Sequence, residues 1–330
     1  MMSNHPFDAV LVIAFGGPNG PDDVRPFLAN VLRGRRVSPQ RVEDVVHHYE
    51  LFGGVSPLAD ITLKQARGLE QRLASAGRAL PVYVGMRNWH PLMADTIRAM
   101  AADGVRRAVG LILAPHRSFS SCTQYRQNVI EARAESAGAV PVTYVRDWHQ
   151  HAKFIEANAS HVRAALARLP IDAPTRVRLV FTAHSIPVSM AGADRYAQQV
   201  SESARLVAEA VGSHDWTVVF QSRSGRPDDP WLGPDVCEYL RGVGRPAVAQ
   251  DFSPARPAGV VLVPIGFVCD HIEVLYDLDH EAADVCRELG VPMARAETVN
   301  DDPQFLDMAA EVVIDVIETY RTGRPLSIVP

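Results

Sequence analysis

Three carboxylates, Glu273, Asp277 and Glu281, recur at i, i+4 and i+8 within PIGFVCDHIEVLYDLDHEAAD, residues 264–284. On a helix that spacing lines them along one face. Like charges so placed destabilise a helix by roughly a few tenths of a kcal/mol per pair. No Lys or Arg stands between positions 270 and 284 to offset them, although six acidic residues and two histidines fill the last fifteen positions of the segment. A solvated acidic face is the plain reading. A divalent cation, or protons in transit, would also compensate the charge. An imidazole of matching character, His184, closes the apolar run RVRLVFTA and precedes SIP. Histidine is a near-neutral base and a common metal ligand, and borderline divalent ions such as Fe2+ accept imidazole nitrogen and carboxylate oxygen together. His184 with Glu273, followed by Asp277 and Glu281, therefore reads as a route for metal inward or protons outward.

His184 is one of four places where an apolar run stops at a polar or turn cluster. The others are Phe15-Gly16-Gly17-Pro18, Ala114-Pro115-His116 and Val268-Cys269-Asp270-His271. In open α/β sheets ligands bind beyond the carboxyl ends of strands, so these clusters are expected to line one cleft. AFGGPNG lacks the Gly-x-Gly-x-x-Gly spacing of a dinucleotide site and suits a tight turn approaching a flat ligand. His116 is expected to line the cleft or to serve structure, and His271 to cap the acidic helix. The neighbours His47 and His48 cannot share one helix face and are expected at the surface.

The elements that must position these groups are short aliphatic runs: DAVLVIAFGGP, LPVYVGM, RAVGLILAPHRS, VPVTYV, RVRLVFTAHSIP, WTVVFQS and GVVLVPIGFVCD. Continuous apolar strands of this kind are buried on both faces. Amphipathic stretches at 60–77, 91–103, 124–137, 152–168, 194–211 and 303–322 alternate with them, predicting parallel sheets with crossover helices. The fold class is α/β, with two doubly wound units joined near 145–154: 1–147 and 148–330, the C-terminal helix packing back on the first. The Pro/Ala/Arg-rich stretch 249–259 is expected to be a surface loop.

A length of 330 residues accommodates two cores. With 22% charged residues and a net charge of −5 the chain lacks the basic excess of a nucleic-acid binder. No apolar run is long enough to span a membrane and the N-terminus lacks a signal pattern, so a cytoplasmic monomer is expected. Cys122, Cys237, Cys269 and Cys286 are far apart, which argues against a zinc site or a disulfide framework; Cys269 stands out because it precedes Asp270 and His271.

Seven collinear stretches carry a resemblance: AFGGP, FGGVSPL, YVGMRNWHP, LILAPHRSFSS, FTAHSIP, FQSRSGRPDDPWLGPDV and PIGFVCDHIEVLYDLDHE. Together they resemble the ferrochelatases, which insert ferrous iron into a porphyrin in haem synthesis. The resemblance spans roughly residues 8 to 318. It implies two Rossmann-like domains with a cleft between them, His184 as the active-site histidine, and Glu273 as its partner across the bound macrocycle. Asp277 and Glu281 continue from Glu273 as an acidic ladder on a π-type helix. Arg33 and Ser56 match positions that hold propionates, and Phe15 matches a residue over the ring. Tyr125 and His116 complete the expected porphyrin-binding set, and the metal set is His184, Glu273, Asp277 and Glu281.

Two departures bear on the substrate. The link RRVSPQRVEDVVHHYELF is short and polar where protoporphyrin-using members carry an apolar lip. That favours coproporphyrin III, with a downstream haem-synthesis enzyme completing decarboxylation. Against it, Phe15 stands where that class often has Tyr. The C-terminus YRTGRPLSIVP lacks cysteines, so no [2Fe–2S] cluster or other prosthetic group is expected, and Fe2+ is a substrate. Protoporphyrin IX ferrochelatase, a cobalt chelatase and a tetrapyrrole carrier are the alternatives.

Overall fold

A computed structural model describes residues 6–34, 37–136, 140–171, 176–224, 229–243 and 257–323. The stretch 249–256 of the expected surface loop, and 324–330 of the C-terminus, lie outside them.

The aliphatic runs form two separate four-stranded parallel sheets. The first takes β1 (Ala9–Ala14), β2 (Val82–Met86), β3 (Ala108–Ile112) and β4 (Val142–Tyr144) in the order β2-β1-β3-β4. The second takes β5 (Val177–His184), β6 (Trp216–Gln221), β7 (Gly259–Val263) and β8 (Met293–Arg295) in the order β6-β5-β7-β8. In each, the chain leaves a central strand to one side and returns on the other. The points of reversal, β1/β3 and β5/β7, are where such sheets open a binding crevice.

The chain divides into two compact units: Met1–Ala114 with Ser120–Trp148 and Asn300–Pro330, and Pro115–Phe119 with His149–Val299. The short excursion at 115–119 has no counterpart in a single cut at 147/148, whereas the last helix groups with the first unit, where it was expected.

In the first unit every residue of β1 is buried, and Ala9, Leu11 and Ile13 meet Ile97, Met100 and Val129 in one cluster. The helix Pro303–Arg321 starts on an Asp302 cap, whose carboxylate accepts from the backbone of Gln304 (2.7 Å) and Phe305 (3.3 Å). It is held to the first unit by Arg72–Asp307 (3.1 Å) and by the Gln65 amide, which donates to the Asn300 carbonyl (2.7 Å). The link expected after the first helix is itself helical over Pro39–Glu50. Ser38 caps it by accepting from the Arg41 N–H (3.2 Å), with proline at the first helical position.

In the second unit Val180, Val219, Val260 and Leu262 pack against Val274, Leu278 and Ala282. Those last three residues are the inner face of the acidic segment. It begins as a short α turn, Ile272–Val274, and widens to a π-helix over Leu275–Ala282. π turns are uncommon and concentrate at functional sites.

Candidate active site

The second unit gathers most of the candidate chemistry. His184 is the last residue of β5 and is partly exposed. Its Nδ1 lies 2.5 Å from the Ser185 carbonyl, which can only accept, so Nδ1 carries a proton and, in the neutral ring, the lone pair is on Nε2. The Tyr196 hydroxyl donates to the His184 carbonyl (3.0 Å), and Ser185 is pinned by its own hydroxyl donating to Leu232 O (2.7 Å). Burial raises the Tyr196 phenol well above its ordinary range, so it stays a donor.

Nε2 of His184 faces Glu273 Oε2 at 3.9 Å. That is too long for a hydrogen bond and too short to admit a macrocycle, which needs two contact distances of about 3.5 Å each. The two side chains thus stand next to each other with no space for a ring between them, unlike the arrangement expected of partners across a macrocycle. Glu273 is set by the helix start: His271 Nδ1 accepts from the Val274 N–H (3.2 Å), the cap expected of it, and burial lowers the His271 pKa.

Glu273 and Glu281 are exposed and Asp277 between them is partly buried. Burial, reinforced by the charges of Glu273 and Glu281, pushes the Asp277 carboxyl up to about 7, while Ser222 and Gln221 pull the other way. Asp277 Oδ2 accepts from the Ser222 hydroxyl and from the Gln221 amide (3.2 Å), and the same amide reaches the Glu273 carbonyl (3.1 Å). Ser222 holds this position with φ of 60°, a left-handed backbone rare for a non-glycine residue. The sequence reading gave Gln221 and Ser222 no role. Their only signal was their place at the end of β6, beside the strand carrying His184.

Among the described residues no three His, Cys, Asp or Glu side chains converge closely enough to hold one metal ion. Glu273, Asp277 and Glu281 stand on successive turns of this helix, so the set His184, Glu273, Asp277 and Glu281 is a row, not one coordination shell. Cys269 is buried, and its thiol is pushed up to about 12 by burial and by Asp270, so it is no nucleophile.

The first unit builds a different surface at the end of β1. Phe15 is 37% exposed and meets Phe27 edge to face at 6.2 Å; Phe27 in turn meets Trp89 at 6.3 Å. Gly16 turns the chain with φ of 89°, and a Cβ there would lie 2.9 Å from the Trp89 nitrogen, so only glycine fits. A Cβ on Gly17 would lie 2.9 Å from that of Ser56, which is buried against the turn by its N–H donating to Pro18 O (2.9 Å). Exposed Arg33 donates to Asn30 Oδ1 (2.7 Å), and Asn30 donates to Asn88 O (3.1 Å), whose own N–H bonds Phe15 O (3.0 Å). Phe15, Arg33 and Ser56 thus converge on one strand end.

Two other expected porphyrin contacts sit elsewhere. Tyr125 is 8% exposed within the first unit's core cluster, so its ring packs inward and offers no stacking face. His116 is 2% exposed in the second unit, with Nε2 3.0 Å from Ser203 Oγ. Burial and the neighbouring His149 lower its pKa to about 3, leaving it a neutral structural ring.

Comparison with known proteins decides what this arrangement belongs to. The ferrochelatase family model matches residues 7–316. The chain belongs to the ferrochelatase family. A ferrochelatase of Rhodopirellula baltica is 45% identical over 309 residues, covering 93% of this chain and 86% of that protein. A coproporphyrin III ferrochelatase of Nocardia farcinica is 44% identical over 328 residues, covering 96% and 91%. Among solved structures, SirB from Bacillus subtilis with Fe3+ aligns with a TM-score of 0.58 over 97% of this chain and 99% of its own, at 11% identity. That likeness shows the fold: two Rossmann-like chelatase domains, each a parallel sheet flanked by helices. Among the described residues no helix of this chain is long and apolar enough to cross a membrane.

Proposed function

We propose that this chain inserts Fe2+ into coproporphyrin III to give coprohaem III, which a downstream enzyme of haem synthesis then decarboxylates. The observation that carries the reading is the His184 imidazole, with its Nε2 lone pair 3.9 Å from Glu273 at the head of a carboxylate row. A free porphyrin holds two pyrrole N–H protons, and both must leave as Fe2+ enters. His184 Nε2 accepts a pyrrole proton, acting as general base. Glu273, exposed beside it, hands iron toward the ring and passes protons to Asp277 and Glu281. Distortion of the ring in a fitted site would expose its nitrogen lone pairs. Phe15 lies over the macrocycle and Arg33 holds a propionate, while Ser56, buried against Gly17, sets the turn beside Phe15.

Two observations support coproporphyrin III: the polar segment 37–52, and the relatives that carry that name. Protoporphyrin IX is the second reading, favoured by Phe15 where a tyrosine is expected of the coproporphyrin class. Iron is the substrate, and the enzyme works as a cytoplasmic monomer without a prosthetic group.

His184→Ala and Glu273→Gln test the assignment. Both variants should bind porphyrin as tightly as the parent, by fluorescence titration. Iron insertion should fall about 100-fold or more for His184→Ala, the scale of a lost general base. A variant that keeps full turnover would remove that residue from the mechanism. A parent chain that binds porphyrin and never metallates it would make this a carrier.

A further inference from the structure

The acidic row stands on the wide π turn of Leu275–Ala282, and nothing in that row explains what keeps the turn wide. The answer comes from outside the segment. Arg295, the last residue of the edge strand β8, has a side chain only 12% exposed and donates to the segment at two points. Its Nε bonds Asp279 Oδ1 at 2.8 Å, inside the π-helix, and its Nη1 and Nη2 reach Asp270 Oδ1 at 3.0 Å and Oδ2 at 3.4 Å, just before the helix begins. Thr298, fully buried, adds a hydroxyl to Asp270 Oδ1 at 3.0 Å. Glu273 and Asp277 lie in the stretch bracketed by these two carboxylates, and neither bonds the guanidinium.

We propose that Arg295 is a positioning residue for iron insertion, which ties Asp270 to Asp279 and so holds the π register that keeps Glu273, Asp277 and Glu281 in line with His184. An α-helix turns about 100° per residue, and a wider turn advances less. Relaxation to α geometry would give each successive carboxylate a different bearing from Glu273. A planar fork that bonds two carboxylates at once fixes both distance and orientation, which a lysine ammonium, a point charge, does not. The arrangement also accounts for an acidic segment with no internal cation: its balancing charge arrives from a neighbouring strand and is placed on Asp270 and Asp279, leaving the working carboxylates clear.

This inference rests on the proposed role of the row, so the test carries Glu273→Gln as a control. Arg295→Gln, Arg295→Lys and Asp279→Asn are compared with the parent for thermal stability, for porphyrin and Fe2+ kinetics taken separately, and for amide hydrogen exchange over 275–282. Asp279 is 37% exposed, so its variant keeps the test decisive if Arg295→Gln fails to fold. The expected result is an unchanged KM for porphyrin, kcat/KM for Fe2+ lowered about 10-fold in the folded Arg295 variants and less in Asp279→Asn, and faster exchange confined to 275–282. Lysine should not rescue, and Arg295→Gln combined with Asp279→Asn should be no worse than Arg295→Gln alone. Unchanged Fe2+ kinetics in folded variants, or equal losses for both substrates, would overturn the inference. If Glu273→Gln itself leaves insertion intact, the reading of the row fails instead.

Discussion

A carboxyl whose pKa stands near 7 is a proton carrier at neutral pH, and Asp277 reaches that range because it is partly buried between two other carboxylates. The same displacement destabilises the fold. Asp277 binds its proton more tightly folded than unfolded, so stability is retained at low pH and is lost as pH rises from the ordinary 3.8 through about 7. At ~1.4 kcal/mol per pH unit the cost is a few kcal/mol at most. Asp277→Asn, which still accepts from Ser222, should therefore be more stable than the parent in urea at pH 8, with the advantage shrinking toward pH 5, while iron insertion slows. An advantage independent of pH would mean that Asp277 does not titrate there. At this scale the sequence was informative about type and spacing. His184, Glu273 and the row were legible because an imidazole at a strand mouth and repeated like charges are chemically conspicuous. Gln221, Ser222 and Tyr196 were not, since hydrogen bonds across 56 or 12 residues of chain leave no local pattern. His116 takes the structural alternative stated for it, and Tyr125, named from the resemblance alone, packs into the first core beside Val129 and Ala132.

Elements set these residues through close contact of backbone segments. Gly266 lies in the turn that follows β7, and its N–H donates to Thr182 O at 3.0 Å. A Cβ at Gly266 would sit 2.6 Å from that of Ala183, one residue before His184. Gly266→Ala must push β5 and the turn apart. It should cost about 1–3 kcal/mol in denaturant unfolding, the usual range for overpacking, and should lower kcat by displacing His184. Unaltered stability and turnover would show that the two segments are not in tight contact. All seven aliphatic runs became strands, because a buried parallel strand is a continuous apolar stretch. β8 was missed: it has three residues, and only the middle one is buried. The helix Pro39–Glu50 was read as a link although Ser38-Pro39 is a start signal, since its polar composition hides the apolar face made by Val46 and Tyr49. The π widening came from family resemblance alone; apolar spacing does not distinguish it from an α-helix over so few turns.

At the scale of the whole molecule, each unit offers one strand-end surface with its own chemistry: Phe15 with Arg33 at β1, and an imidazole with carboxylates at β5 and β7. Phe15→Tyr probes the first. If residue 15 lies over the ring, a phenol there should shift the absorption bands of the ferric product and slow its release, and an unshifted spectrum would place residue 15 away from the iron. Two doubly wound halves and the return of Pro303–Arg321 to the first unit were both expected from the sequence, whereas the excursion at 115–119 is a long-range event that periodicity does not encode. The most direct test of the account is anaerobic Fe2+ insertion into coproporphyrin III and protoporphyrin IX side by side, followed by porphyrin absorption. The account predicts faster metallation of coproporphyrin III by the parent chain, abolished by His184→Ala; preference for protoporphyrin IX would contradict the substrate assignment, and no insertion into either would contradict the account as a whole.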